Sequence, residues 1–60
     1  MLTEKEKEVL KLKIAGKNQL EIARKIKISQ PAVSNFYNNA LKKIHEAEET
    51  LKLKKELGLK

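Results

Sequence analysis

Four uncharged polar side chains are spaced so that they share one side of a single helix. They are Gln30, Ser34, Asn35 and Asn38, and we refer to them as the polar face. In an α-helix, residues three and four positions apart lie next to each other on the same side. Glutamine and asparagine can form two hydrogen bonds with N6 and N7 of adenine, and serine can bond a base or a phosphate. The polar face therefore has the chemistry needed to read base edges in a DNA groove.

The asparagines support this interpretation over ordinary solvation. Asparagine is a poor helix former, so Asn35, Asn38 and Asn39 in one helix carry a local cost. A surface selected only for stability would more commonly carry lysine, glutamate or alanine. We therefore predict that the polar face points into a groove.

The surrounding residues predict two helices joined by a tight turn. A short helix covers about residues 19–26, the turn lies at Lys27–Ile28, and Ser29 caps a second helix with Pro31 in its first turn. Ala23 is placed where the two helices approach most closely. This is the helix-turn-helix unit, whose second helix enters the major groove. Its apolar positions are Leu20, Ile22, Ala23, Ile26, Ile28, Val33 and Phe36.

A further helix precedes this unit. Thr3 with Glu6, and Asn18 with Glu21, have the spacing of capping boxes, and Gly16 stands where the first helix should end. The fold class is therefore all-α: a small helical bundle with a helix-turn-helix, of three helices, the third either long or broken into a fourth near residue 45. The predicted inward residues of the first helix are Val9, Leu10, Leu12 and Ile14.

The third helix can be long because neither glycine nor proline occurs from Ala32 to Leu57. A helix of about 25 residues would extend roughly 38 Å. A break near His45 stays open, because the charge changes there from basic to acidic. We expect a helix-turn-helix DNA-binding domain in residues 1–45 and a C-terminal helical extension in residues 46–60.

The extension carries a possible contact between chains. Apolar residues of the third helix follow steps of four and three, which is a heptad pattern: Val33, Tyr37, Ala40, Ile44, Ala47 and Leu51. The later part could fold back on the first helix or pair with a second chain. We expect a homodimer through Ile44, Ala47 and Leu51, which would place two helices in successive major grooves about 34 Å apart.

The charge of the chain favours a polyanionic partner. The chain contains fourteen Lys and Arg residues and eight acidic residues, which gives a formal net charge of +6. Any one of these lysines could equally be ordinary solvated surface, and Arg24 could contact phosphate or brace the bundle. The predicted phosphate contacts are Lys17, Asn18, Lys25, Lys27, Ser29, Asn39, Lys42 and Lys43.

Size and composition exclude other classes of protein. A 60-residue chain buries only about 60% of the surface of its unfolded form, which leaves no room for an enclosed substrate cavity. With no cysteine and one histidine, we expect no disulfide, no metal site, no cofactor and no enzymatic activity. The apolar runs are far shorter than the roughly 18 residues of a membrane span, and the N-terminus has no apolar signal core. We expect no membrane partner and a cytoplasmic location. A membrane-surface helix at 46–60 is disfavoured by Glu46, Glu48 and Glu49.

Residues 2–53 resemble known DNA-binding domains. The first part of the chain resembles the DNA-binding domain of LuxR-type regulators and region four of sigma factors. The residues that match the LuxR-type pattern are Leu2, Thr3, Glu8, Val9, Leu10, Ala15, Gly16, Glu21, Ile22, Ala23, Ile28, Ser29 and Val33. The second half, residues 40–53, looks more like the archaeal Tfx-type transcriptional regulators.

The resemblance implies a helix-turn-helix fold and sequence-specific binding of double-stranded DNA in transcription control. By position, the reading helix is about residues 30–39. Lys27 replaces the turn glycine of the family, so we expect a strained or altered turn. Pro31 and Ser34 replace basic residues of many LuxR-type domains, so phosphate contacts at those positions are not carried over. Region four domains touch both DNA and polymerase, so the alternative function is a protein–protein adaptor docking on RNA polymerase components.

Overall fold

A computed structural model describes residues 1–58, which form three α-helices. These are α1 (Glu4–Ile14), α2 (Gln19–Ile26) and α3 (Gln30–Glu56). The predicted all-α class and the helix-turn-helix order are confirmed. Helix α3 is continuous for 27 residues, so the alternative with a break near residue 45 is wrong. The last two residues of the predicted extension, 59–60, lie outside the described residues.

Each helix begins at the capping residue that the sequence predicts. The Thr3 hydroxyl accepts from the Glu6 N–H at 3.2 Å, and the Glu6 carboxylate accepts from the Thr3 N–H at 2.8 Å. Asn18 and Glu21 form the same reciprocal pair at 2.8 and 3.1 Å. The Ser29 hydroxyl accepts a 3.2 Å bond from an N–H in the first turn of α3. These bonds satisfy N–H groups that have no partner within the helix.

Gly16 ends α1 as predicted. Its φ of 87° lies in the left-handed region, which glycine adopts without steric cost. The Gly16 N–H donates to the Lys13 carbonyl and the Lys17 N–H to the Leu12 carbonyl, both at 3.0 Å. This pair of bonds is a Schellman motif, which reverses the chain toward α2 within a few residues.

The core is formed where the three helices meet. Val9 from α1, Ile22 from α2 and Val33 from α3 are its largest fully buried side chains. Ala23 is buried beside them. A ring of partly buried side chains packs around this centre: Leu12, Ile26, Ile28, Phe36 and Tyr37.

The predicted inward position of one residue, Ile14, is wrong. Ile14 is 85% exposed. It follows Val9 by five residues, which rotates it about 140° away from the buried side of α1. Lys13 takes the inward position instead, half-buried, with its ammonium nitrogen 5.2 Å from the centre of the Tyr37 ring. At this distance the cation and the aromatic face attract each other.

A partly buried ion pair joins the start of α1 to the middle of α3. The Glu6 side chain is buried, and its carboxylate accepts from the Lys43 ammonium at 2.8 Å. Lys43 also donates to the Met1 carbonyl at 3.3 Å. The Lys43 hydrogen bond, followed by the bond from the Thr3 backbone N–H, lowers the pKa of Glu6 from 4.5 to about 2.

The second half of α3 projects beyond the bundle. All side chains from Ile44 to Glu56 are exposed, with Leu51 at 58%. The Cα positions span 45 × 18 × 14 Å, and the radius of gyration is 14.3 Å, against about 10 Å expected for a compact chain of this length. The extension therefore does not fold back on α1, and that alternative is wrong. Among residues 1–58, no helix combines the length and the apolar character needed to cross a bilayer.

The Glu6–Lys43 pair predicts a specific pH dependence of stability. Because the folded pKa of Glu6 is below its ordinary value, the pair's contribution is complete above about pH 4.5 and is lost as the pH falls toward 2. We expect Glu6→Gln to be less stable than the wild type at pH 7, with the difference narrowing through this window. Urea unfolding followed by circular dichroism measures both curves. Glu8→Gln, an exposed substitution in the same helix, should keep the wild-type pH dependence. If the free energy of unfolding changes with pH in the same way for the wild type and Glu6→Gln, the Glu6–Lys43 pair is not the source of this pH dependence.

Candidate nucleic-acid interface

The turn between α2 and α3 requires a left-handed lysine. Lys27 has φ 57° and ψ 50°, and it is the only residue other than glycine with a positive φ within residues 1–58. Its N–H and that of Ile28 both donate to the Ala23 carbonyl, the Ile28 bond being 3.0 Å. The left-handed region costs a residue with a Cβ roughly 1–2 kcal/mol. The expected strained turn is therefore confirmed, and it directs the chain into α3.

The start of α3 is held from several sides. Ser29 is extended, with φ −75° and ψ 158°, and Pro31 occupies the first turn, where its missing N–H needs no partner. The Val33 N–H donates to the Ser29 carbonyl at 3.1 Å, and the Val33 side chain is buried. Because Val33 and Ala40 face the core, the opposite side of α3 faces outward.

The polar face lies on this outward side. Gln30, Asn35 and Asn38 are exposed, and Ser34 is half-buried among them. No acidic residue occurs in α3 before Glu46, so no negative side chain of this helix lies on the polar face. The arrangement presents amides and a hydroxyl on a rigid support without like-charge repulsion toward a polyanion.

The side chain of Gln19 links this face to α2 and was missed by sequence reasoning. Its amide nitrogen donates to the Gln30 carbonyl at 2.7 Å and to the Ser34 hydroxyl at 3.0 Å. These partners lie 11 and 15 residues further along the chain. A polar residue in the first turn of a helix is ordinary, so the sequence carries no signal for this contact.

Six of the eight predicted phosphate contacts lie in segments next to the polar face or within α3 beside it. Lys27 and Ser29 lie at the start of α3, and Lys42 follows Asn38 by one helical turn. Residues 17–18 directly precede Gln19, which contacts α3. The six residues are Lys17, Asn18, Lys27, Ser29, Asn39 and Lys42, and all are exposed.

The structure places the other two lysines elsewhere. Lys25 lines a shallow groove between α1 and α2, together with Leu12 and Ile26. The Lys43 ammonium is bound to the Glu6 carboxylate and to the Met1 carbonyl. An ammonium held by a buried carboxylate does not offer its full charge to a phosphate, so Lys43 is assigned to the bundle.

The predicted dimer residues lie on the projecting part of α3. Ile44, Ala47 and Leu51 are exposed and continue the side of the helix that holds Val33 and Ala40 in the core.

Within the described part of the chain, no three His, Asp or Glu side chains are grouped so that they could hold a metal ion.

Comparison with known proteins identifies a family that matches most of the chain. A family model described as bacterial regulatory proteins, luxR family, matches residues 1–50 of the 60-residue chain. The match includes α1, α2, the left-handed turn and the whole polar face. Comparisons with curated proteins and with solved structures found no significant match. The likeness of the second half to Tfx-type regulators stays a prediction.

The strained turn predicts that a glycine at position 27 stabilises the fold. Lys27→Gly removes the Cβ strain but adds chain entropy to the unfolded state, so we expect a net gain of about 0.5–1 kcal/mol in the free energy of unfolding. Lys25→Gly removes the same charge from within α2 and should instead lose about 1 kcal/mol. Urea titrations of the three proteins provide the comparison. A loss of stability in Lys27→Gly would show that the left-handed turn is not strained.

Proposed function

Because the chain belongs to the luxR family of bacterial regulatory proteins, we propose that it is a transcriptional regulator that reads double-stranded DNA with α3 in the major groove. The observation that carries this proposal is the outward polar face on a helix anchored from behind by Val33. The diameter of an α-helix fits the major groove of B-form DNA, where each base pair presents a distinct pattern of donors and acceptors.

Base reading falls to the exposed amides. Gln30, Asn35 and Asn38 each carry both a donor and an acceptor, which suits two-bond pairing with adenine. Each such pair contributes about 1–3 kcal/mol of discrimination against a wrong base. None of the three forms a hydrogen bond through its side chain within residues 1–58, so their amides are available to bases.

Phosphate contacts would fix α3 in the groove. Lys27 and Lys42 lie near the two ends of the polar face, where a DNA backbone flanks an inserted helix. Lys17 and the backbone at the start of α2 extend this contact on one side. The strain at Lys27 has a functional reason in this proposal, since glycine would relax the turn but remove a cation from the interface.

Salt dependence of duplex binding tests the proposal. Duplexes selected from a random pool should bind the protein, and the affinity should fall at least about tenfold between about 50 and 200 mM salt as phosphate contacts are lost. A palindromic consensus would also indicate two reading helices. If micromolar protein binds no duplex at about 50 mM salt, the DNA hypothesis fails and the adaptor function is favoured.

Two asparagine substitutions distinguish base reading from phosphate contact. Asn35→Ala and Asn38→Ala should each weaken binding to the selected duplex about 5- to 100-fold while non-specific binding changes little. Lys42→Ala is the matched contrast, because a lost phosphate contact weakens all sequences alike and lowers the salt slope by about 1. If each substitution reduces the affinity for all sequences equally, the asparagines contact phosphates and do not read bases. Fluorescence anisotropy with the selected duplex and with a non-specific duplex gives the ratio of the two affinities for each variant.

We further propose that the protein acts as a homodimer through Ile44, Ala47 and Leu51. The three side chains lie on one side of the projecting half of α3, exposed in the isolated chain. Leu51 is the largest apolar surface among them, with 58% of its surface exposed. Burying it against a second copy would recover part of its hydrophobic transfer energy, about 1.5–3 kcal/mol per fully buried leucine.

Two leucines of similar exposure test this surface. Leu51→Lys should dissociate the dimer in sedimentation equilibrium while most of the helicity remains. Leu53 is 54% exposed but lies about 200° around the helix from Leu51, so Leu53→Lys should leave the dimer intact. An unchanged mass for Leu51→Lys, or equal dissociation by both variants, would remove this face as the dimer contact.

A further inference from the structure

We propose that Gln19 is a positioning residue that makes Ser34 a hydrogen-bond donor toward the DNA. The proposal rests on the proposed DNA-reading function of α3. Gln19 belongs to α2 and contacts no base in this scheme. It acts through Ser34, whose hydroxyl it holds in one hydrogen-bonding role.

The two contacts of Gln19 determine the orientation of its amide. A carbonyl oxygen can only accept, so the amide atom 2.7 Å from the Gln30 carbonyl must be the NH₂ group. The same nitrogen lies 3.0 Å from the Ser34 hydroxyl oxygen. Both of its hydrogens are therefore used, and the Ser34 oxygen is the acceptor in their contact.

Gln19 also removes the usual internal partner of a helical serine. A serine within a helix commonly donates its hydroxyl proton to the carbonyl four residues earlier, which for Ser34 is that of Gln30. That carbonyl already accepts the helical N–H bond from Ser34 and the amide of Gln19, so both of its lone pairs are occupied. The Ser34 hydroxyl also donates to no other group within residues 1–58, the carbonyl three residues earlier included, so its proton is left for an acceptor outside the bundle.

Because the Ser34 hydroxyl acts as a donor, it can recognise only hydrogen-bond acceptors on the DNA. In the major groove the acceptors are N7 and O6 of guanine, N7 of adenine and O4 of thymine, whereas cytosine presents only a donor. A phosphate oxygen is the other acceptor that a duplex offers. If Ser34 contacts a base, that base is any except cytosine, and the discrimination depends on Gln19.

The test compares three variants on the selected duplex: Gln19→Met, Ser34→Ala and the double substitution. Methionine keeps the length of glutamine but has no N–H, so the Ser34 proton can return to the Gln30 carbonyl. If Ser34 contacts a base, we expect Gln19→Met and Ser34→Ala each to reduce the preference against cytosine at one base position by about three- to tenfold. If it contacts a phosphate, each variant should instead reduce the affinity for the selected duplex by about that factor. The double variant should reduce it no further. Leu20→Met, an exposed neighbour with no side-chain hydrogen bond, is the control.

The two sources of an acceptor are separated by chemical changes to the DNA. A 7-deazapurine at the affected position removes N7, and a methylphosphonate removes the charged oxygen of one phosphate. If the acceptor is N7 or a phosphate oxygen, the wild type should lose affinity on one of these duplexes, and both single variants should be insensitive to the same change. An acceptor at guanine O6 or thymine O4 leaves both duplexes unaffected and is identified by the preference for that base. A general loosening of α3 would instead weaken binding to all duplexes without altering these differences.

Retention of the Ser34-dependent discrimination by Gln19→Met would overturn the proposal, as would a Ser34→Ala variant indistinguishable from the wild type. Circular dichroism of each variant establishes that the fold is kept. Failure of the proposed function is a different result, because then the wild type itself binds no duplex. Binding by the wild type with equal binding by Gln19→Met rejects the role of Gln19 alone.

Discussion

The contact among Val9, Ile22 and Val33 fixes the arrangement of the whole protein. Each helix contributes one large, fully buried side chain, and each contributes about 1.5–3 kcal/mol by leaving water. Ala23 allows α2 and α3 to approach because its side chain is a single methyl group. Since Val33 must face this centre, the outward direction of the polar face is set by packing and not by the polar residues themselves.

A core this small leaves much of the positioning to polar contacts. The Glu6–Lys43 pair ties the start of α1 to the middle of α3, and Gln19 ties the start of α2 to the start of α3. The Lys43 hydrogen bond lowers the pKa of Glu6, whose carboxylate is further bonded to a backbone N–H. These contacts fix α3 at two points along its length, which sets the direction of its axis relative to α1 and α2, whereas the packing of Val33 sets its rotation.

Local features of the fold could be predicted from the sequence, whereas the contacts between helices could not. The caps at Thr3, Asn18 and Ser29 depend on residues within three positions, so their spacing is sufficient. The Glu6–Lys43 bond spans 37 residues and depends on how α1 crosses α3, which no periodicity encodes. Ile14 is apolar but lies at the end of α1, rotated about 140° from Val9, so its apolar character alone does not place it in the core. The side of α3 that faces outward could be predicted, but the partners of its side chains could not.

Continuity of α3 links the two halves of the proposed function. The first half faces the core with Ala40 and earlier residues, while the second half has no covering element in residues 1–58. The acidic residues that begin at Glu46 would be repelled by a DNA backbone, so the groove contact must end before them. Because no break separates these halves, any surface that binds the second half also fixes the direction of the polar face. Pairing through Leu51 would then set the separation of two reading helices, which a flexible joint near residue 45 could not do.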